Sequence, residues 1–274
     1  MARSQILTLD IVEHEPTHYL AGRTGRNIYH DPRSRDYPFP AGSVKAIKSV
    51  RHHRIISVLN QGGIGACTGN AFEGAIGTLP LFDVIPAGHP RKPTGDADAD
   101  EGQAVTFYSE ATHLDRFRGS YMPDDTGSNG VSVCKAGVKA GVISGYQHCF
   151  SLDAALKALS TQPVITGINW YDTFDVPDHN GQISLTPNAE VRGGHELVLD
   201  EIVLDERLIG GTNSWDYTWG ADGRFYISWD DFERLMHEQG DVTVPLPLDQ
   251  PAPKAIGSTK GCLPGFLTKW AHKL

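Results

Sequence analysis

No stretch of this chain holds the roughly 18 to 20 consecutive apolar residues needed to cross a bilayer as a helix. Cysteine is scarce: Cys67, Cys134, Cys149 and Cys262 are all there is in 274 residues. Four scattered thiols make no disulfide framework, and without a Cys-x-x-Cys pair a structural zinc knuckle is not expected. Positive charge is in deficit as well, with 24 Lys and Arg against 33 Asp and Glu, a net charge of −9. Such a surface repels phosphate backbones and anionic lipid, so neither nucleic acid nor a membrane span is expected. The apolar run near the start is too short for a signal-peptide core and meets Asp10 at once. These absences point to a soluble protein with free thiols. It would be made in a reducing, cytoplasmic setting and leave it only by lysis or a dedicated secretion route.

What is present is ordinary globular material, 39% hydrophobic and 21% charged, enough for one large domain or two smaller ones sharing a cleft. Residues 1–43 are rich in His, Arg, Asp and Pro with weak periodicity, and read as an extended arm or a short leader. Helices are expected over residues 67–75, 104–117, 131–140 and 151–159, where apolar residues recur at three- and four-residue spacing. Gly141 would close the third and Ser151 cap the fourth. Residues 86–102 read as a loop. Asp96, Asp98 and Asp100 follow a calcium-loop spacing only in part, because the glycine falls one place late and Phe107 stands where the closing glutamate belongs. After residue 160 the pattern changes to short β-branched or aromatic runs at 164–170, 196–204, 208–209 and 224–228. Helices first and strands second make an α+β chain. From Val244 onward, Pro245, Pro247, Pro251 and Pro253 suggest a surface tail, ending in the apolar and basic stretch 266–274.

The segment Gln61-Gly62-Gly63-Ile64-Gly65-Ala66-Cys67-Thr68-Gly69-Asn70-Ala71 puts a cysteine at a glycine-led helix start. Free N–H groups and the helix dipole there favour a thiolate. A thiolate nucleophile needs an imidazole as proton carrier and a third group to orient it. His195, after two glycines at the head of an apolar strand, and Asn213, in Gly-Gly-Thr-Asn-Ser-Trp, supply those types in the order Cys, His, Asn. Each alone is ordinary, a hydrogen-bonded core histidine and a turn asparagine.

Three motifs together resemble the papain family of cysteine peptidases. Gln61 lies six positions before Cys67, and His195 opens a strand after small residues. Asn213-Ser214-Trp215, Trp219-Gly220 and Gly223 reproduce the family's Asn-Ser-Trp, Trp-Gly, Gly pattern. Thr161-Gln162-Pro163-Val164 is a weaker fourth match, and the likeness spans about residues 44–235. The resemblance implies a two-lobed fold with the site in the cleft: a helical lobe over about residues 60–150, and a strand-rich, barrel-like lobe over about 151–240. The peptidase domain would then be 44–240 and the proline-rich tail 241–274. It implies Cys67 as nucleophile, His195 as its proton partner, Asn213 as the group fixing the imidazole, and Trp215 as the shield of that contact. Gln61 and the Cys67 N–H would form the oxyanion hole. Gly127 and Ser128 would pair with the substrate backbone, and Gly194 would border it. Gly167 and Gly193 would line a roomy side-chain pocket.

Two departures are informative. Ile64 stands where the family has a disulfide-bonded cysteine, and Thr68 where it has an aromatic, as in the bacterial and phage branch. An arm of 43 residues is too short for the long helical propeptide of the plant and animal enzymes, which puts zymogen control in question. The expected function is a monomeric cysteine endopeptidase acting on peptide or protein, with no metal or organic cofactor. The alternatives are a cell-wall peptide hydrolase of the phage-lysis type and a papain-fold protein that binds peptide without cutting it.

Overall fold

The computed structural model describes residues 23–256. Residues 266–274 and Cys262 lie outside them. In chain order the elements are β1 (Val50–Arg51), α1 (Cys67–Ile76), α2 (Leu81–Val84), α3 (Ala97–Leu114) and α4 (Gly130–Ala140). Then come β2 (Gly145–Cys149), α5 (Leu152–Leu159), β3 (Val164–Tyr171), β4 (Val191–Val203), β5 (Leu208–Thr212), β6 (Arg224–Ser228), α6 (Trp229–His237) and β7 (Asp241–Leu246).

All ten residues of α1 are buried, which fits its small and apolar composition. Gly69 and Gly137 let neighbouring helices close on it: a Cβ at Gly69 would overlap the Ala104 carbonyl, and one at Gly137 would overlap the Phe72 ring. Phe72 in turn meets Phe107 of α3 edge-on at 4.9 Å. The helix starts follow their caps. The side chains of Asn129 and Ser151 accept from the N–H groups of Ser132 and Ala154, and Gly141 ends α4 at φ +76. Asp96 caps α3 in the same way, so this helix begins within the expected loop and its aspartates occupy a first turn, where the helix dipole favours them.

Among the described residues seven strands form one antiparallel sheet in the order β2-β7-β3-β4-β5-β6, with β1 added beside β4. The sheet stays open, with β2 and β6 at its ends. Its strands, α5 and α6 enclose the larger core, which includes Trp170, Trp215, Trp219, Phe225 and Phe232. The smaller core lies among α1, α3 and α4. One expectation is corrected here. Residues 241–246 are not a surface tail: they form β7, between β2 and β3. Pro245 is tolerated because β3 pairs β7 only over residues 241–243. Beyond that point the Pro245 carbonyl accepts from the Gln162 side chain instead. No helix among the described residues is long and apolar enough to cross a membrane.

Candidate active site

The catalytic-type residues converge where α1 meets β4 and the β5–β6 turn. Cys67 opens α1 after the turn Gly62–Gly65. Backbone N–H groups of Glu196, Gly25 and Thr68 approach its Sγ, which places the sulfur near the apolar run of β4. His195 Nε2 lies 2.7 Å from Asn213 Oδ1. Because Oδ1 also accepts the Ser214 N–H at 2.8 Å, the amide is oriented with oxygen toward the ring, and Nε2 must donate. The proton therefore sits on Nε2, leaving Nδ1 as a bare lone pair, and Nδ1 has no partner in the protein. Trp215 lies tilted against the imidazole at 5.0 Å and Trp170 meets it edge-on at 4.8 Å, closing the ring off from water.

Gln61 is fixed just as firmly. Its Oε1 accepts from Ser214 Oγ at 2.6 Å, and its Nε2 gives one hydrogen to the Ile64 carbonyl at 2.8 Å. The other hydrogen goes to the Arg23 carbonyl, also at 2.8 Å. A carbonyl of the arm thus occupies the donor expected to stabilise an oxyanion.

Residues 23–27 run through the cleft. Gly25 and Arg26 N–H groups donate to the Gly194 carbonyl at 3.1 and 2.9 Å. On the opposite wall Ser128 N–H donates to the Gly25 carbonyl at 2.9 Å and Asn27 N–H to the Ser128 carbonyl at 2.6 Å, a parallel bridge between Arg26 and Ser128. The approach is so close that a Cβ on Gly25 would overlap the Gly65 carbonyl, and one on Gly127 or Gly194 would overlap arm backbone. Gly127, at φ +71, also needs to be glycine for its conformation. The arm's backbone thus fills the groove between Gly194 and Ser128.

Burial reverses the expected thiolate. With both side chains fully covered, Cys67 is pushed up to about 12, chiefly by desolvation, which outweighs the N–H groups at the helix start. His195 falls to about 4, again chiefly by desolvation and against the pull of Asn213. In the covered state the thiol and the imidazole are both neutral. In a ring-proton NMR titration, His195 is expected to stay neutral down to about pH 4. His148, pushed to about 4 by burial in β2, should behave alike. Protonating His195 opposes the covered state, so acid between pH 6.5 and about 4 favours opening through this residue. Glu196, held well above the carboxylate range by burial, acts in the other direction. If His195 titrates near its ordinary value in the full chain, the ring is not covered in solution.

Sequence reasoning singles out Cys67, His195, Asn213, Gln61, Gly127, Ser128, Gly194 and Trp215 as candidates, and the structure brings these residues together around residues 23–27 and the start of α1. Of the two expected pocket glycines, Gly167 lies against the Arg26 side chain, but Gly193 faces Thr24. Three participants were missed. Asp125 accepts the Gly65 N–H at 3.0 Å and the Tyr108 hydroxyl at 2.6 Å, and pairs with Arg23 at 3.0 Å. It thereby ties the turn before the nucleophile to the loop at Gly127. Glu196 and Asp241 are the others; the signal for Glu196 was a carboxylate inside an apolar strand. Cys134 and Cys149 are buried free thiols, as expected.

The fold and the cleft define a class: this is the papain-like fold of cysteine peptidases. Among solved structures, the chain is similar to xylellain, a cysteine protease from Xylella fastidiosa, at 18% identity and a TM-score of 0.63, covering 82% of this chain and 96% of that one. It is also similar to the proform of the cysteine protease Amb a 11, a major ragweed pollen allergen, at 16% identity and a TM-score of 0.51, covering 77% and 70%. At these identities the likeness is one of fold. No family model matches the sequence, and no curated protein matches it.

Proposed function

We propose that this chain is a cysteine endopeptidase that cleaves peptide bonds through an acyl-enzyme on Cys67, and that residues 23–27 hold it latent. The observation that carries the reading is a pair of side chains held in fixed orientation at the cleft. Asn213 holds His195 with Nδ1 bare, and Gln61 offers its amide to a carbonyl oxygen, at present that of Arg23.

In an open cleft both side chains lose the desolvation that opposes charge, and the proton passes from Sγ to Nδ1 because the N–H groups and dipole of the α1 start stabilise the thiolate and the imidazolium beside it adds its attraction. The thiolate attacks the substrate carbonyl carbon. Charge gathers on the carbonyl oxygen, which accepts from Gln61 Nε2 and the Cys67 N–H. The imidazolium then gives its proton to the leaving amine as the C–N bond breaks. A water, deprotonated by the same ring, releases the acid and restores the thiol.

The deciding experiment is reaction with an epoxide inhibitor of thiol peptidases after the arm has been opened, with the adduct located by mass spectrometry. An adduct on Cys67 alone, sparing Cys134, Cys149 and Cys262 and absent from Cys67→Ala, supports the peptidase. An inert Cys67 in an open, folded chain favours a peptide-binding protein without catalysis. Release of peptide from cell wall, without cleavage of protein, would redirect the same chemistry to wall crosslinks. Gln61→Ala is expected to lower kcat about 10²- to 10³-fold, equivalent to about 2.7–4 kcal/mol, with KM little changed. Steady-state kinetics on a cleaved peptide check this.

A further inference from the structure

Beside the nucleophile lies a pocket that the reaction chemistry leaves unused. Three strands build it. Gly167 of β3 is paired across the sheet with Glu196 of β4 on one side and Asp241 of β7 on the other. Directly opposed residues share a face of the sheet, so the row reads carboxylate, glycine, carboxylate. The missing side chain in the middle is filled by the guanidinium of Arg26: a Cβ on Gly167 would overlap Arg26 Nε and stand 2.9 Å from Glu196 Oε2. From the helical side, the space above Gly130 of α4 lies 2.6 Å from Glu196 Oε1, 3.4 Å from Thr243 Oγ1 and 3.5 Å from Asp241 Oδ1.

Arg26 fits this space only in part. Its Nη2 donates to Asp241 Oδ2 at 2.6 Å and to the Gln239 carbonyl at 2.7 Å, and its side chain is fully buried. Its Nε and Nη1 have no acceptor. Glu196 is 1% exposed and neither of its oxygens has a donor, and Asp241 Oδ1 has none either. The pocket therefore holds more acceptor capacity than the arm's arginine uses. An apolar side chain there would take the donor from Asp241 Oδ2 and the Gln239 carbonyl and leave the buried Glu196 facing no polar group, a costly arrangement. Lysine brings a single point charge where acceptors lie in several directions, whereas a guanidinium presents a planar fork.

We propose that this pocket selects arginine in the substrate, and that Arg26 is the chain's own occupant of it. The proposal rests on the peptidase reading above and adds its specificity. Sγ faces Gly25 and the pocket takes the neighbouring residue. For a substrate that runs opposite to the arm, in which Arg26 follows Gly25, the arginine precedes the residue whose carbonyl is attacked and is second from the cut bond on its N-terminal side. Glu196 and Asp241 are the specificity residues. They touch the substrate side chain and none of the reacting atoms.

The test uses the full chain carrying Gly25→Val, which drives the arm backbone out of the cleft, together with Arg26→Ala, which removes the pocket's own occupant. Labelling of Cys67 by an epoxide without a side chain for this pocket reports a working thiol. Cleavage of a mixed peptide library, read by mass spectrometry, reports the preference. Arginine is expected to exceed leucine at the second position by about 10-fold or more in kcat/KM, with lysine between them. Adding Glu196→Gln and Asp241→Asn, which keep the shapes, is expected to lower that arginine-to-leucine ratio about 10- to 100-fold. Circular dichroism and Cys67 labelling confirm that these variants remain folded. If Cys67 labels and peptides are cut with no arginine preference, or with one that survives the double change, the pocket assignment is wrong and the peptidase stands. If Cys67 neither labels nor cuts in any variant, the peptidase reading fails and this one with it.

Discussion

Cys67→Ala is expected to lower kcat/KM on a cleaved peptide about 10⁴- to 10⁶-fold, with the melting temperature and far-ultraviolet spectrum close to those of the parent chain. The size follows from the absence of a substitute. Cys134 lies in α4, Cys149 ends β2, and both sit in hydrophobic cores with their thiols held protonated by burial. The buried Cys67 thiol contributes little packing that a methyl group does not. His195→Ala should cost a similar factor, and the double variant should be hardly worse than either single one, because thiol and imidazole act as a unit. Kinetics on the three variants in an arm-opened background check this. Additive losses would mean that the two side chains act independently, which the proposed proton transfer does not allow.

Gly25→Val is expected to raise the rate of Cys67 alkylation in the full chain about 100-fold. That is the gain when a state held by about 1% of molecules becomes dominant. Gly25 lies between Gly65 and Gly127, where any Cβ overlaps backbone. Backbone cannot move aside as a flexible side chain can, so the arm must leave. Its departure gives up the Arg23 bonds to Gln61 and Asp125 and the Arg26 pair with Asp241. The same substitution should return His195 toward its ordinary titration range and leave His148 where it was. An unchanged alkylation rate would show that the arm is already out of the cleft in most molecules.

The candidate catalytic residues were legible because each is a short local motif: a cysteine behind glycines, a histidine behind glycines, and Asn-Ser-Trp before Trp-Gly. The capped helices were legible for the same reason, since Asn129, Ser151 and Gly141 act within a few residues of where they stand. What sequence reading lost depends on distant partners. β7 carries a proline that argues against an interior strand, and only the short reach of β3 makes it acceptable. α3 was started too late because its acidic first turn looked like loop chemistry. The binding pocket was invisible for a stricter reason: Glu196, Gly167 and Asp241 come from three separate strands and become neighbours only through sheet register. The covered state of the thiol was equally unreadable. The helix-start argument gives the right local sign, but a segment more than 40 positions upstream supplies the burial that reverses it.

The arm is part of the same polypeptide, and this sets how its hold responds to dilution. A tethered occupant faces its groove at a fixed effective concentration, of millimolar order for short connections. A dilute solution of the intact chain is therefore as silent as a concentrated one. One cut in the half-exposed or exposed stretch at residues 41–43 would end that independence. The released peptide would become an ordinary ligand that drifts away at low protein concentration and rebinds at high. Nicked material should gain activity when diluted and lose it when concentrated, whereas intact material should do neither.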